Sequence, residues 1–148
     1  MRAVIQRVSK ASVLINQEFT EAIDQGFVVL LGIENEDTST DVKWLVQKII
    51  NMRVFNDSED KMNLSLMDTE GELLIISQFT LHASTKKGNR PSFIKAAKPE
   101  FAKKIYQEFI DESRKHCNLK NGKFGAHMEV SLINNGPVTI IIDSKNRV

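Results

Sequence analysis

Two short stretches carry the side chains best suited to chemistry: Ser77-Gln78-Phe79-Thr80-Leu81 and Asn135-Gly136-Pro137-Val138-Thr139. Ser77 and Thr80 supply hydroxyls, and the Gln78 amide can both donate and accept a hydrogen bond. They follow Leu73-Leu74-Ile75-Ile76, an apolar run behind Gly71 that reads as a buried strand. A strand that passes from fully apolar to Ser-Gln-Phe-Thr has reached a rim, where a substrate can satisfy its polar groups. In the second stretch Gly136 can take a positive φ. Pro137 fixes its own φ and lacks an N–H, and an X-Pro bond is the one common setting for a cis peptide. Taken singly, each stretch also fits a plainer reading: an edge strand for the first, a hairpin loop for the second.

The other reactive groups do not assemble into known machinery. A serine or cysteine hydrolase needs a base beside its nucleophile, and the chain holds no G-x-S-x-G elbow. Cys117, the single cysteine, falls late in a helical stretch and reads as packing. It excludes an internal disulfide and a cysteine-based zinc site. His82, His116 and His127 are scattered, without metal-ligand spacing and without an evident acid partner. His116 suits a helix C-terminus, where a cation meets the dipole favourably.

The elements that position these groups follow from periodicity. The 148 residues fit one domain, 1–148, able to bury a core without disulfides or metal. Ala3–Val8 and Ala11–Ile15 read as a hairpin or one bent strand, and Gln17–Ile23 as a further strand. Phe27–Leu31 is apolar throughout, as in a strand buried on both faces. Val42, Leu45, Val46, Ile49 and Ile50 give a one-faced helix, with Thr38 and Asp41 at capping-box spacing. Arg53–Phe55 reads as a short strand, Lys61–Leu66 as a short strand or irregular edge, and Leu73–Leu81 as a longer strand. Ser92–Ala97 reads as a short helix. Pro99 opens a second long helix with a Phe101, Ile105, Phe109 stripe that ends near His116–Asn118. Met128–Leu132 alternates as a strand, Asn134–Pro137 turns, and Val138–Asp143 is the last strand. The fold class is α+β: mostly antiparallel β-layers with two long helices.

Net charge is +1, but it is unevenly spread. Residues 82–123 hold eleven Lys/Arg and four acids, a net of +7, and the remainder carries −6. That asymmetry suggests an anion-facing surface, or else a lysine-rich solvated helix. No apolar run approaches the ~20 residues of a membrane span. The basic N-terminus lacks a signal-peptide core, and a lone free thiol suits a reducing cytoplasm.

Taken together, SQFTL and NGPVT resemble the signature of the D-aminoacyl-tRNA deacylase family. The likeness extends to Met1–Val8, Leu31-Gly32-Ile33, Lys86–Pro91 and Gly122–Met128, nearly the whole chain. One departure is Asn135, where the family usually carries an acid before Gly-Pro; Asn keeps a turn-forming side chain.

The resemblance implies a three-layer β/β/α architecture and hydrolysis of the ester in D-aminoacyl-tRNA or mischarged glycyl-tRNA, with no metal or organic cofactor. An activated ester needs donors for the oxyanion and a held water. Ser77, Gln78, Phe79 and Thr80 would form that catalytic rim, with Thr80 positioning water or polarising the carbonyl, and the terminal ribose hydroxyl assisting. Gly136 and Pro137, joined by a cis bond, would enter the pocket of a homodimer partner and exclude L side chains, with Arg7 holding the loop. Ala97, Phe124, Gly125 and Met128 would receive the terminal adenosine. Lys86, Lys87 and Arg90 would meet tRNA phosphates. Two rivals remain: an RNA-binding module without turnover, and an unrelated small-molecule esterase.

Overall fold

The computed structural model describes residues 1–148. Its elements run β1 (Arg2–Ile15), β2 (Phe19–Ile23), β3 (Gly26–Gly32), α1 (Ser39–Asn51), β4 (Phe55–Asn56), β5 (Met62–Leu64), β6 (Glu72–Ser77), a 3-10 turn (Phe79–His82), α2 (Pro99–Arg114), β7 (Leu119–Asn121) and β8 (Met128–Asp143). The main sheet has the order β2-β1-β3-β6-β7, with β8 on the other edge of β1. β1 is one bent strand. Its first half pairs antiparallel with β3, its second half with β2, and its whole length with β8. β3–β6 and β6–β7 are parallel, so the sheet is mixed. An ion pair from Lys120 on β7 to Glu21 on β2, at 3.8 Å, brings the two ends of the sheet together. The result is a nearly closed barrel with two helices against one side.

Alternation along the strands explains two cores. Phe27, Val29 and Leu31 of β3, with Leu73 and Ile75 of β6, face the helices. Val28, Leu74 and Ile76 face the barrel interior with Val8, Ala11, Val13, Ile15 and Ile23. β3 and β6 therefore read as continuous apolar runs because both faces are covered. The α1 stripe is buried as the periodicity requires. Each of its five side chains contributes about 1.5–3 kcal/mol on burial, against about 1 kcal/mol for a helix cap. The apolar face thus dominates, although the Asp41 carboxylate does accept the Thr38 N–H at 2.9 Å. In α2 the buried hydrophobic set is Ala102, Ile105, Tyr106, Phe109 and Ile110; Phe101 sits at its edge, half-buried.

Several local expectations are corrected. β6 ends at Ser77 rather than Leu81. Ser92–Ala97 is not a helix: Ser92 bridges to Ser84 and Ala96 to Glu34, with one turn between. α2 ends at Arg114, and β7 comes next, beside β6. Asn134–Pro137 is not a turn between two strands. β8 keeps β1 as its partner on both sides, and the residues between Asn134 and Thr139 form a bulge.

Candidate active site

The rim forms where β6 leaves the sheet. Gln78 N–H makes the last bond to β3, to the Leu31 carbonyl at 2.7 Å, and the chain then folds into the 3-10 turn. Gly32 makes that fold-over possible. A Cβ there would stand 2.9 Å from Leu81 Cβ and 3.1 Å from both Gln78 O and His82 Cδ2. Arg2 pins the far side of the turn, donating from Nη1 to Leu81 O at 2.6 Å while pairing with Asp143. Thr80 is exposed, and its hydroxyl accepts a 2.5 Å bond from Gln78 Nε2. Phe79 is 57 % exposed and meets Phe93 edge-on at 5.1 Å.

Beside the turn lies a pocket of about 680 Å³. Ser77, Gln78 and Phe79 form one wall, Phe93 and Ala97 a second, and Phe124, Gly125 and Met128 a third. Leu31, Ile76 and Ala102 lie at its floor. The lining is mostly apolar and the size suits a nucleoside or an amino-acid side chain. Tyr106 steadies the third wall. Its ring packs 5.9 Å from Phe124, and its hydroxyl lies 2.9 Å from both Ile75 O and Gly122 O. Burial pushes this phenol well above its ordinary range, so it stays a neutral donor.

No side-chain base stands at Thr80. The ring of His82 packs under the turn against Gly32, buried. His116 sits 3.6 Å from Glu112 at the end of α2, and His127 is exposed before β8. Burial pushes the Cys117 thiol up to about 11, away from thiolate chemistry.

The remaining expected residues lie outside the pocket. Lys86, Lys87 and Arg90 are exposed on a loop closed by paired Ser84–Ser92 backbone bonds of 2.8 and 2.9 Å. Arg7, Gly136 and Pro137 lie at the other end of the strands. Arg7 is opposite Phe27, whereas Ser77 is opposite Leu31, four residues or roughly 13 Å further along. There the Gly136-Pro137 bond is cis and Gly136 has φ +142°. Asn134, not Asn135, closes the bulge with its side chain: its Oδ1 accepts Val138 N–H at 2.7 Å and its Nδ2 donates to Thr139 Oγ1 at 3.0 Å. Asn135 contributes its carbonyl, which accepts from Arg7 Nε at 2.7 Å. Sequence reasoning misses Phe93. It lies in an irregular loop without periodicity, and only its closeness to Pro91 and the basic run hints at a surface role.

A family profile described as D-Tyr-tRNA(Tyr) deacylase matches residues 4–143. The chain belongs to that family. It is 56 % identical to the D-aminoacyl-tRNA deacylase of Christiangramia forsetii and 55 % identical to that of Flavobacterium johnsoniae, each over 99 % of both chains. Its fold is similar to the solved structure of a c-Myc DNA Unwinding Element Binding Protein, with a TM-score of 0.91 and 45 % identity over 97 % of this chain and 98 % of that one. Membership makes the protein a hydrolase that binds tRNA and acts on its D-aminoacyl ester.

Proposed function

We propose that this deacylase proofreads chirality at a site shared by two copies of the chain, clearing D-aminoacyl and mischarged glycyl groups from tRNA. The observation that carries the reading is the rim itself: an apolar, nucleoside-sized pocket walled by Ser77, Gln78 and Phe79, with Thr80 exposed on the turn just beyond that wall and no histidine or carboxylate bonded to its hydroxyl. Such a site works by placement. The backbone N–H groups around Phe79 and Thr80 stand at the start of a helical turn, where amides lack partners within it. They receive the developing oxyanion. The Thr80 hydroxyl, oriented by Gln78, positions water or the carbonyl, and the ribose hydroxyl beside the ester assists. The adenosine rests on Phe124, Gly125, Met128 and Ala97.

Discrimination falls to the Gly136-Pro137 main chain. Within one chain it lies at the wrong end of the sheet to meet its own pocket, and β8 has a free edge. Both features support a homodimer in which each bulge enters the partner's pocket. A rigid carbonyl wall there collides with an L side chain and clears a D side chain or glycine. Lys86, Lys87 and Arg90 meet the phosphates of the acceptor end. The lone free thiol fits a cytoplasmic setting.

The test uses catalytic amounts of protein with labelled D-Tyr-tRNA, L-Tyr-tRNA and Gly-tRNA, over a dilution series. D-Tyr and Gly are released with turnover, L-Tyr is spared, and specific activity drops as the dimer dissociates. Equal release of D- and L-Tyr overturns the proofreading reading. Full activity in a protein that sediments as a monomer overturns the shared site.

A further inference from the structure

Arg7 is a buried cation without a counter-ion. The residue is 7 % exposed, and the three acceptors of its side chain are all uncharged: Asn135 O at 2.7 Å, Val54 O at 2.6 Å and Asn56 Oδ1 at 3.1 Å. A buried guanidinium held only by neutral groups is costly unless those groups are themselves fixed and polarised. The β4–β5 hairpin provides the fixing. Asn56 donates through Nδ2 to the Asp60 carboxylate at 2.7 Å, which turns its Oδ1 towards Arg7. Asp60 is placed by a built turn. The Asp57 carboxylate accepts Glu59 N–H at 2.9 Å, Lys61 N–H at 3.1 Å and Asn63 Nδ2 at 3.1 Å, and Asp60 itself has φ +60°.

We propose that Asn56, oriented by Asp60, is a positioning residue for stereochemical selection: it fixes the Arg7 guanidinium, which fixes the Asn135 carbonyl and with it the Gly136-Pro137 bulge. The inference rests on the bulge acting as the wedge. Asparagine suits the post because one short side chain offers both the acceptor that faces the cation and the donor that faces the carboxylate. Asp60 thus orients the amide whose oxygen faces Arg7. Arg7 packs tightly on the wedge: its Nη2 lies 3.0 Å from the place a Cβ would take on Gly136. Slack in Asn56 becomes slack in the carbonyl wall.

The experiment measures kcat/KM on D-Tyr-tRNA and L-Tyr-tRNA for the full-length protein. Asn56→Ala lowers the D:L ratio by roughly tenfold or more, the scale of one hydrogen bond to a charged group. A purely structural role scales both rates together and leaves the ratio alone. The double variant Asn56→Asp with Asp60→Asn restores the ratio, because donor and acceptor are exchanged and every bond survives. If Asn56→Ala does not fold, Asp60→Gly, which keeps the positive φ of that turn residue, removes the carboxylate that orients the amide; it lowers the ratio, and an unchanged ratio overturns the proposal. Gly136→Ala separates the two ideas. If it leaves the ratio intact, the wedge falls and this relay with it. If it changes the ratio while Asn56→Ala does not, the relay alone falls.

Discussion

Replacing Gly136 by alanine tests the wedge at its most constrained atom. The backbone there sits at φ +142°, a region almost reserved for glycine, and holding an L residue in it costs on the order of 1–3 kcal/mol. Space is short as well. The new Cβ would stand 2.8 Å from Val138 Cγ2 and 3.0 Å from both Val138 N and Arg7 Nη2. Val138 is buried and its branched side chain is stiff, so it cannot swing away. The bulge must shift or the fold must absorb the strain. If the fold absorbs it, Tm drops by roughly 2–4 °C per kcal/mol for a chain of this length. If the bulge shifts, the Arg7–Asn135 bond lengthens and the pocket wall moves. The same energy taken from the transition state corresponds to roughly 5- to 150-fold in rate on the D-ester. The assay pairs a thermal melt with single-turnover deacylation of D- and L-Tyr-tRNA. A variant that melts with the wild type and keeps its D-ester rate and D:L ratio refutes the reasoning.

The same geometry leads to three more outcomes. Lys86, Lys87 and Arg90 changed together to alanine weaken tRNA binding, and the log–log salt slope becomes shallower by about 2 for three contacts to a single strand; filter binding at several salt concentrations reads this, and an unchanged slope removes the loop from the tRNA surface. Tyr106→Phe costs only about 1 kcal/mol, because Ile75 O keeps the Gly122 N–H at 2.9 Å and Gly122 O keeps Asn121 Nδ2 at 3.0 Å; urea titration checks it, and a loss above about 3 kcal/mol contradicts it. Burial alone would raise the Asp41 carboxyl, but hydrogen bonds from Lys145, Ser144 and Thr38 hold it well below its ordinary 3.8. A depressed carboxylate stabilises fully above that value and loses its contribution as pH falls through and below it. Asp41→Asn therefore costs about 1–2 kcal/mol near pH 7, a gap that narrows below about pH 4; melts from pH 2 to 7 decide it, and a gap independent of pH counts against the assignment.

Residue order reveals whatever local periodicity decides. Val42 to Ile50 announce α1 because one helical face is apolar, and Phe27–Leu31 announces a doubly covered strand because no polar residue interrupts it. The Ser77–Thr80 rim is legible as a change from apolar to polar. The 3-10 turn beyond Ser77 is not: only the gap over Gly32 and the grip of Arg2 on Leu81 show that the chain folds over there instead of running on. The bulge in β8 is equally hidden. Asn-Asn-Gly-Pro reads as a hairpin by its residues, and only the shared partner strand β1, more than a hundred residues away in sequence, makes it an excursion within one strand. β7 escapes notice because three residues, Leu119–Asn121, become a strand only by lying beside β6. The pocket floor is visible merely as core: nothing in Leu31, Ile76 or Ala102 marks them as facing a cavity.

That floor has a consequence for how the enzyme can change. Leu31, Ile76 and Ala102 are buried in the packed interior and border the cavity at once. A wall one side chain thick divides ligand from interior, so selection for a sturdier molecule and selection for a different guest press on the same atoms. Heat-hardened versions obtained by repacking around α2 and β6 will arrive with altered substrate preference, and versions bred for a bulkier D residue will arrive softened.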